Sequence, residues 1–112
     1  MNIRTTFAAG RLTVYLLGEL DHHEARCTTR AIDDLLDEYL PRDCVLDLNG
    51  LSFMDSSGIA VVMRAQKRMR ALDGGAVLRG VPPQAKKVFA AAGIFRLIPL
   101  EEGESSDESK TE

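Results

Sequence analysis

A carboxylate and two hydroxyls stand together at Asp55-Ser56-Ser57-Gly58, after Leu51-Ser52-Phe53-Met54 and just before a helical pattern that begins with Ile59. A strand and a short loop handing over to a helix at this point put Ser56 beside a helix N-terminus. That is the carboxyl end of a sheet, where open α/β folds collect ligands. Backbone N–H groups and the helix dipole there favour an anion, so a phosphate on Ser56 is expected to be accommodated without disrupting the fold. Ser and Asp are also preferred helix caps, and capping alone accounts for an isolated Asp-Ser-Ser-Gly. Ser57 is one residue deeper in the first helical turn, about 100° further round the axis, so its hydroxyl is expected to be less open to a kinase.

The other reactive residues point elsewhere. A serine hydrolase elbow needs a glycine two residues before its nucleophile and another two after it; Gly58 supplies the second, but Met54 occupies the first position. His22 and His23 are adjacent and diverge on a helix, so they make no metal pair with each other and read as surface residues of a first turn. Cys27 and Cys44 read as small buried hydrophobes, and Met54, Met63 and Met69 as core filler. Gly74-Gly75 lacks the lysine and following helix of a phosphate cradle and reads as a turn. No cofactor is expected.

These residues need elements to hold them. Ile3 to Phe7 and Leu12 to Leu17 are β-prone runs split by Ala9, Gly10 and Arg11, which predicts an opening hairpin whose second strand is central. Asp21 followed by Glu24 is a capping-box pattern. Thr28, Ala31, Ile32, Leu35, Leu36 and Tyr39 then recur at helical spacing until Pro41, with Asp33, Asp34, Asp37 and Glu38 facing outward. Cys44 to Leu48 predicts a short strand that gives way to a loop after Asn49-Gly50. The second helix places Ile59, Val62, Met63, Gln66 and Met69 on one stripe and Arg64, Lys67, Arg68 and Arg70 opposite, a basic face expected to be solvated. Val77 to Val81 is the next strand, Pro82-Pro83 opens a third helix that Gly93 ends, and Phe95 to Leu100 closes the sheet as an edge strand carrying Pro99. The order ββαβαβαβ predicts an α/β fold with a mixed, mostly parallel sheet and an opening hairpin.

At 112 residues, 45% hydrophobic, 28% charged and without Trp, the chain has the length and composition of one globular domain. Two cysteines make no disulfide framework, and no signal-like or membrane-spanning run is evident, so a cytoplasmic site of action away from membranes is expected. The net charge of −3 is uneven: six acids and one Lys from Glu101 to Glu112 carry −5, leaving 13 basic and 11 acidic residues and +2 on the rest. A mild excess without a basic stripe or stacking aromatics argues against nucleic acid. Residues 1–100 are read as the domain and 101–112 as a disordered acidic tail.

Gly18-Glu19-Leu20-Asp21-His22-His23 and Leu51-Ser52-Phe53-Met54-Asp55-Ser56-Ser57-Gly58, in this order and separation, resemble the two signature stretches of the anti-sigma factor antagonists with a STAS domain, and most of all their sporulation branch. The resemblance runs from the first strand to Leu100. It implies a non-enzymatic module whose first Ser after the Asp, here Ser56, is phosphorylated by a partner that is both anti-sigma factor and serine kinase and is restored by a metal-dependent serine phosphatase. It also implies that only the unphosphorylated form binds the anti-sigma factor and frees the sigma factor. Partner contacts would fall on Gly18, Glu19, Leu20, Asp21, His22 and His23 together with Asp55, Ser56, Ser57 and Gly58. In that role Asp55 caps the helix start, and Gly58 keeps the approach to Ser56 open. The same domain also serves as a scaffold subunit in stress-signalling assemblies or transporters, which is the alternative. The acidic tail and the Arg-rich second helix depart from the family pattern.

Overall fold

The computed structural model describes residues 1–101. Strands β1 (Asn2–Ala8) and β2 (Arg11–Leu20) form the expected hairpin, turning through Ala9 and Gly10, both at positive φ (54° and 82°), as a two-residue hairpin turn requires. Helix α1 (His22–Tyr39), β3 (Asp43–Met54), helix α2 (Ser57–Ala71), β4 (Gly75–Arg79), helix α3 (Pro83–Ala91) and β5 (Leu100–Glu101) follow. The sheet runs β1-β2-β3-β4-β5; its first pair is antiparallel and the rest are parallel. The predicted order therefore stands.

Alternation along the central strands builds the core. Leu12, Cys44 and Ala76 lie side by side in register, as do Val14, Leu46 and Leu78, and all belong to one buried cluster with Ile32 and Leu36 of α1, Val62 and Met69 of α2 and Phe89 of α3. α1 ends at Leu40, held left-handed at φ 44° immediately before Pro41.

Six expectations change. β3 does not stop at Leu48. Strand β2 runs on to Leu20 and keeps pairing with it, Leu17 against Gly50 and Leu20 against Met54, with register shifts that absorb the Asn49-Gly50 turn signal. The predicted strand Phe95 to Leu100 is mostly a 3₁₀ turn at Ile94–Arg96, because Leu97 and Ile98 donate their N–H groups back to the Ile94 carbonyl. Pro99 still offers its carbonyl to Leu78, so only Leu100 and Glu101 pair with β4, and Glu101 belongs to the sheet rather than to the tail. Positions 102–112 lie outside the described residues.

The inward face of α2 is turned toward Val61 and Ala65, leaving Ile59 and Met63 half-buried. Gln66 is buried there because its amide serves the backbone, accepting from Ala76 N–H at 2.8 Å and donating to the carbonyls of Ala76 and Leu97. Its outer face is not simply solvated, since Arg64 and Arg68 pair with Asp33 and Asp37 of α1. Finally, Cys27 is exposed, while burial and the neighbouring Asp43 carboxylate push the Cys44 thiol up to about 12.

Candidate functional site

The two sequence stretches singled out above meet at the carboxyl end of the sheet because β2 and β3 are adjacent and parallel. Gly18 pairs with Leu51, Glu19 with Phe53 and Leu20 with Met54. Gly18 has φ 107° at the β-bulge between Gly18 and Glu19, a conformation that favours glycine over any residue with a side chain. The extra residue of the bulge is Ser52, on β3.

Asp21 caps α1, its Oδ1 accepting from the N–H groups of His23 (3.0 Å) and Glu24 (3.1 Å). Asp55 joins the two helices: Oδ1 accepts from Ser57 N–H at 2.8 Å, and Oδ2 accepts from His22 N–H at 3.1 Å, while its own N–H donates to the Leu20 carbonyl. One carboxylate thus ties the start of α2 to the start of α1. The Ser57 N–H is the main cause holding the Asp55 carboxyl below its ordinary value of 3.8; partial desolvation opposes it, and the Ser57 hydroxyl and His22 add to it.

A lowered carboxyl contributes stability above its unfolded value and loses that contribution as pH falls through the folded one. Asp55→Asn puts an NH2 group where one of the two accepting oxygens stood, so it faces one of the two helices with a donor against a donor. It is expected to lower the melting temperature by about 5 °C at pH 7 and to converge with wild type below pH 3.8; thermal melts across that range check both halves.

Ser56 makes no capping bond, has helical backbone angles (φ −64°, ψ −14°), and is exposed. Ser57 is half-buried and has its N–H on Asp55. The N–H groups expected to cradle an anion are already occupied, because Ser57 donates to the Asp55 side chain, Gly58 to the Asp55 carbonyl and Ile59 to the Ser56 carbonyl. None of these three N–H groups is free to seat an anion at the helix end.

Two of the ten residues singled out for contact are not on the surface. Leu20 is fully buried in the core, and Gly58 is buried because a Cβ there would come within 2.5 Å of the Met54 side chain. Gly58 serves packing beneath the loop, not access to Ser56. Glu19, His22, His23 and Ser56 are exposed, and Gly18, Asp21, Asp55 and Ser57 are half-buried.

Two residues not singled out for the site also belong to it. Phe53 is 41% exposed beside Glu19, a large aromatic on an otherwise polar rim. Gln84, at the start of α3, grips Met54 by both backbone groups, accepting from its N–H at 2.9 Å and donating to its carbonyl at 2.8 Å. The signal for Phe53 was an aromatic between polar Ser52 and the Asp-Ser pair; Gln84 carried none, because nothing local links it to a residue 30 positions earlier. No group of three His, Cys, Asp or Glu side chains among the described residues could hold a metal ion, and no helix among them is long and apolar enough to cross a membrane.

Comparison with known proteins places this geometry. The STAS domain family matches residues 2–106. The anti-sigma F factor antagonist of Paenibacillus polymyxa is 32% identical over 95 residues, covering 85% of this chain and 81% of that one. The structure of the anti-sigma factor antagonist SpoIIAA in its unphosphorylated form superposes with a TM-score of 0.77 at 24% identity, covering 96% of this chain and 95% of that one. The phosphorylated form of the Bacillus cell fate determinant SpoIIAA gives 0.69 at 24% identity over 96% of this chain and 98% of its own. At that identity the likeness is one of fold, shared with both forms.

Proposed function

The chain belongs to the STAS domain family, and from that membership we propose that it is an anti-sigma factor antagonist switched by phosphorylation of Ser56. The unphosphorylated module binds an anti-sigma factor and so releases the sigma factor that partner holds. The anti-sigma factor doubles as the serine kinase that turns the module off, and a metal-dependent phosphatase restores it. The module transfers nothing itself.

One observation carries the reading: the loop that joins the two helices through Asp55 leaves the Ser56 hydroxyl exposed and free of any capping bond. A serine used for capping would be withheld from a kinase. Here the cap is Asp55, and the adjacent hydroxyl is available on a rigid support. The surface around it, Glu19, His22, His23 and Phe53, is the contact surface proposed for the anti-sigma factor.

Ser56→Ala tests this. The hydroxyl holds no structural bond, so the variant is expected to melt within about 2 °C of wild type, as surface substitutions usually do. It is expected to take no label from kinase and ATP, and to keep sigma-dependent transcription running in a reconstituted system where wild type is silenced. Phosphopeptide mapping checks the first and the transcription assay the second. Full labelling of Ser56→Ala would move the switch to Ser57 or elsewhere.

A further inference from the structure

The charges of α1 are segregated along its length. Its first half carries His22, His23, Arg26 and Arg30, and its second half Asp33, Asp34, Asp37 and Glu38, with Glu24 the only acid in the first turn and no base in the last. The helix dipole acts within the terminal turns, where Glu24 suits the start and Asp37 and Glu38 are placed unfavourably, so it accounts for neither the basic first half nor the acidic second. Packing against α2 explains one half: Arg64 and Arg68 reach across to Asp33 and Asp37.

Nothing among the described residues explains the other half. Arg26 and Arg30 are one turn apart, where like charges repel, and neither is in an ion pair with any described residue. Going from Arg68 through Arg64 toward the start of α2, the next positions facing α1 are Ala60 and Ser57. The ladder of opposite charges therefore stops at a methyl group. The small side chain opens a groove between the helices, lined by Arg26, Arg30, Ala60, Arg64 and the Asp33 carboxylate that Arg64 already pairs with, and continuing past His22 and His23 to Ser57.

We infer that this groove receives an acidic segment of the anti-sigma factor, with Arg26 and Arg30 as the residues that select it; the inference rests on the function proposed above. Charge complementarity names the occupant's chemistry, and continuity with Ser57 and the histidines joins the groove to the Ser56 surface. It also deepens the switch. A phosphate on Ser56 puts negative charge at the mouth of the groove, where it repels the incoming acids and competes with them for the same cations.

Arg26→Glu/Arg30→Glu, measured against the purified anti-sigma factor by calorimetric titration, is expected to bind at least 30-fold more weakly at 50 mM NaCl, with the gap shrinking at 300 mM. Arg4→Glu, on β1 away from the groove, is expected to stay within threefold. Both positions are exposed, so the double variant is expected to melt within about 5 °C of wild type, and lost binding at room temperature cannot be ascribed to lost fold. A fluorescent octaglutamate peptide at low salt probes the groove without the partner and is expected to bind wild type but not the double variant.

Anti-sigma factor binding within threefold of wild type, or no octaglutamate binding to wild type, overturns the inference. A tenfold gain in affinity on removing positions 102–112 would also overturn it, by making this chain's own acidic end the occupant. Failure of wild type to bind the anti-sigma factor while it still binds octaglutamate would condemn the proposed function, and this choice of occupant with it, but not the basic character of the groove.

Discussion

Phosphorylating Ser56 is expected to weaken binding to the anti-sigma factor by about 100-fold or more while moving the melting temperature by only a few degrees. The added charge of about −1.5 to −2 sits beside the Asp55 carboxylate, which is unfavourable. Yet Ser56 is exposed, and no bond that holds the loop uses its hydroxyl. The Ser57, Gly58 and Ile59 N–H groups keep their present acceptors, so the helix start neither gains nor loses a partner. Water screens the phosphate in the free protein. Against a partner that screening is lost: an uncompensated charge buried at an interface costs about 3–5 kcal/mol, and every 1.4 kcal/mol is tenfold in affinity. Circular dichroism melts and calorimetric titrations of the two forms separate the effects. A phospho-form that is unfolded at room temperature would place the switch in the fold rather than on the surface.

Gly74→Ala is expected to destabilise the domain by about 3 kcal/mol, the upper end of overpacking costs, and to lower the melting temperature by about 10–20 °C. A Cβ at Gly74 would stand 2.2 Å from the Arg42 carbonyl oxygen and 2.9 Å from the Met69 methyl. The carbonyl cannot retreat easily, because Arg42 N–H is bonded to Gly10 at 2.8 Å and the next residue, Asp43, begins β3. Its neighbour Gly75 is a built-in control: a Cβ there meets only the Gln66 Oε1 at 3.8 Å and no positive φ is needed. Gly75→Ala is expected to change stability by less than about 1 kcal/mol. Equal losses in the two variants would show that the pair matters for flexibility and not for close approach.

The contrast between those two glycines illustrates what the sequence conveys. Gly74-Gly75 announced a turn, but which glycine is indispensable depends on Arg42, more than thirty residues away. Local signals served well where the cause is local: Asp21 as a cap, Pro41 and Pro83 as boundaries, Gly10 and Gly93 at positive φ. They failed where tertiary pairing prevailed. Asn49-Gly50 reads as a turn, yet the length of β2 carries β3 through it; Phe95 to Leu100 has strand composition, yet Ile94 collects the N–H groups that a strand would have offered outward.

The candidate site divides in the same way. Its two stretches could be read directly, and so could the lesser exposure of Ser57 beside Ser56. The bridge from Asp55 to His22, the grip of Gln84 on Met54, and the burial of Leu20 and Gly58 could not, because each depends on which strand lies beside which.

Strand order in this sheet repeats chain order, and that bears on how the protein is made. Each new strand finds its neighbour already synthesised, so pairing can follow the order of synthesis as the chain leaves the ribosome, although each parallel pairing must first close a helical crossover. When Ala71 has emerged, β2, α1, β3 and α2 are all present, and with them both ends of the Asp55 bridge. The nascent chain then presents the Ser56 hydroxyl before its last third exists. What remains is the arrival of Gln84, and the expected sign of its delay is an Asp55 loop already in place but still loose at Met54, tightening in a separate, later kinetic phase.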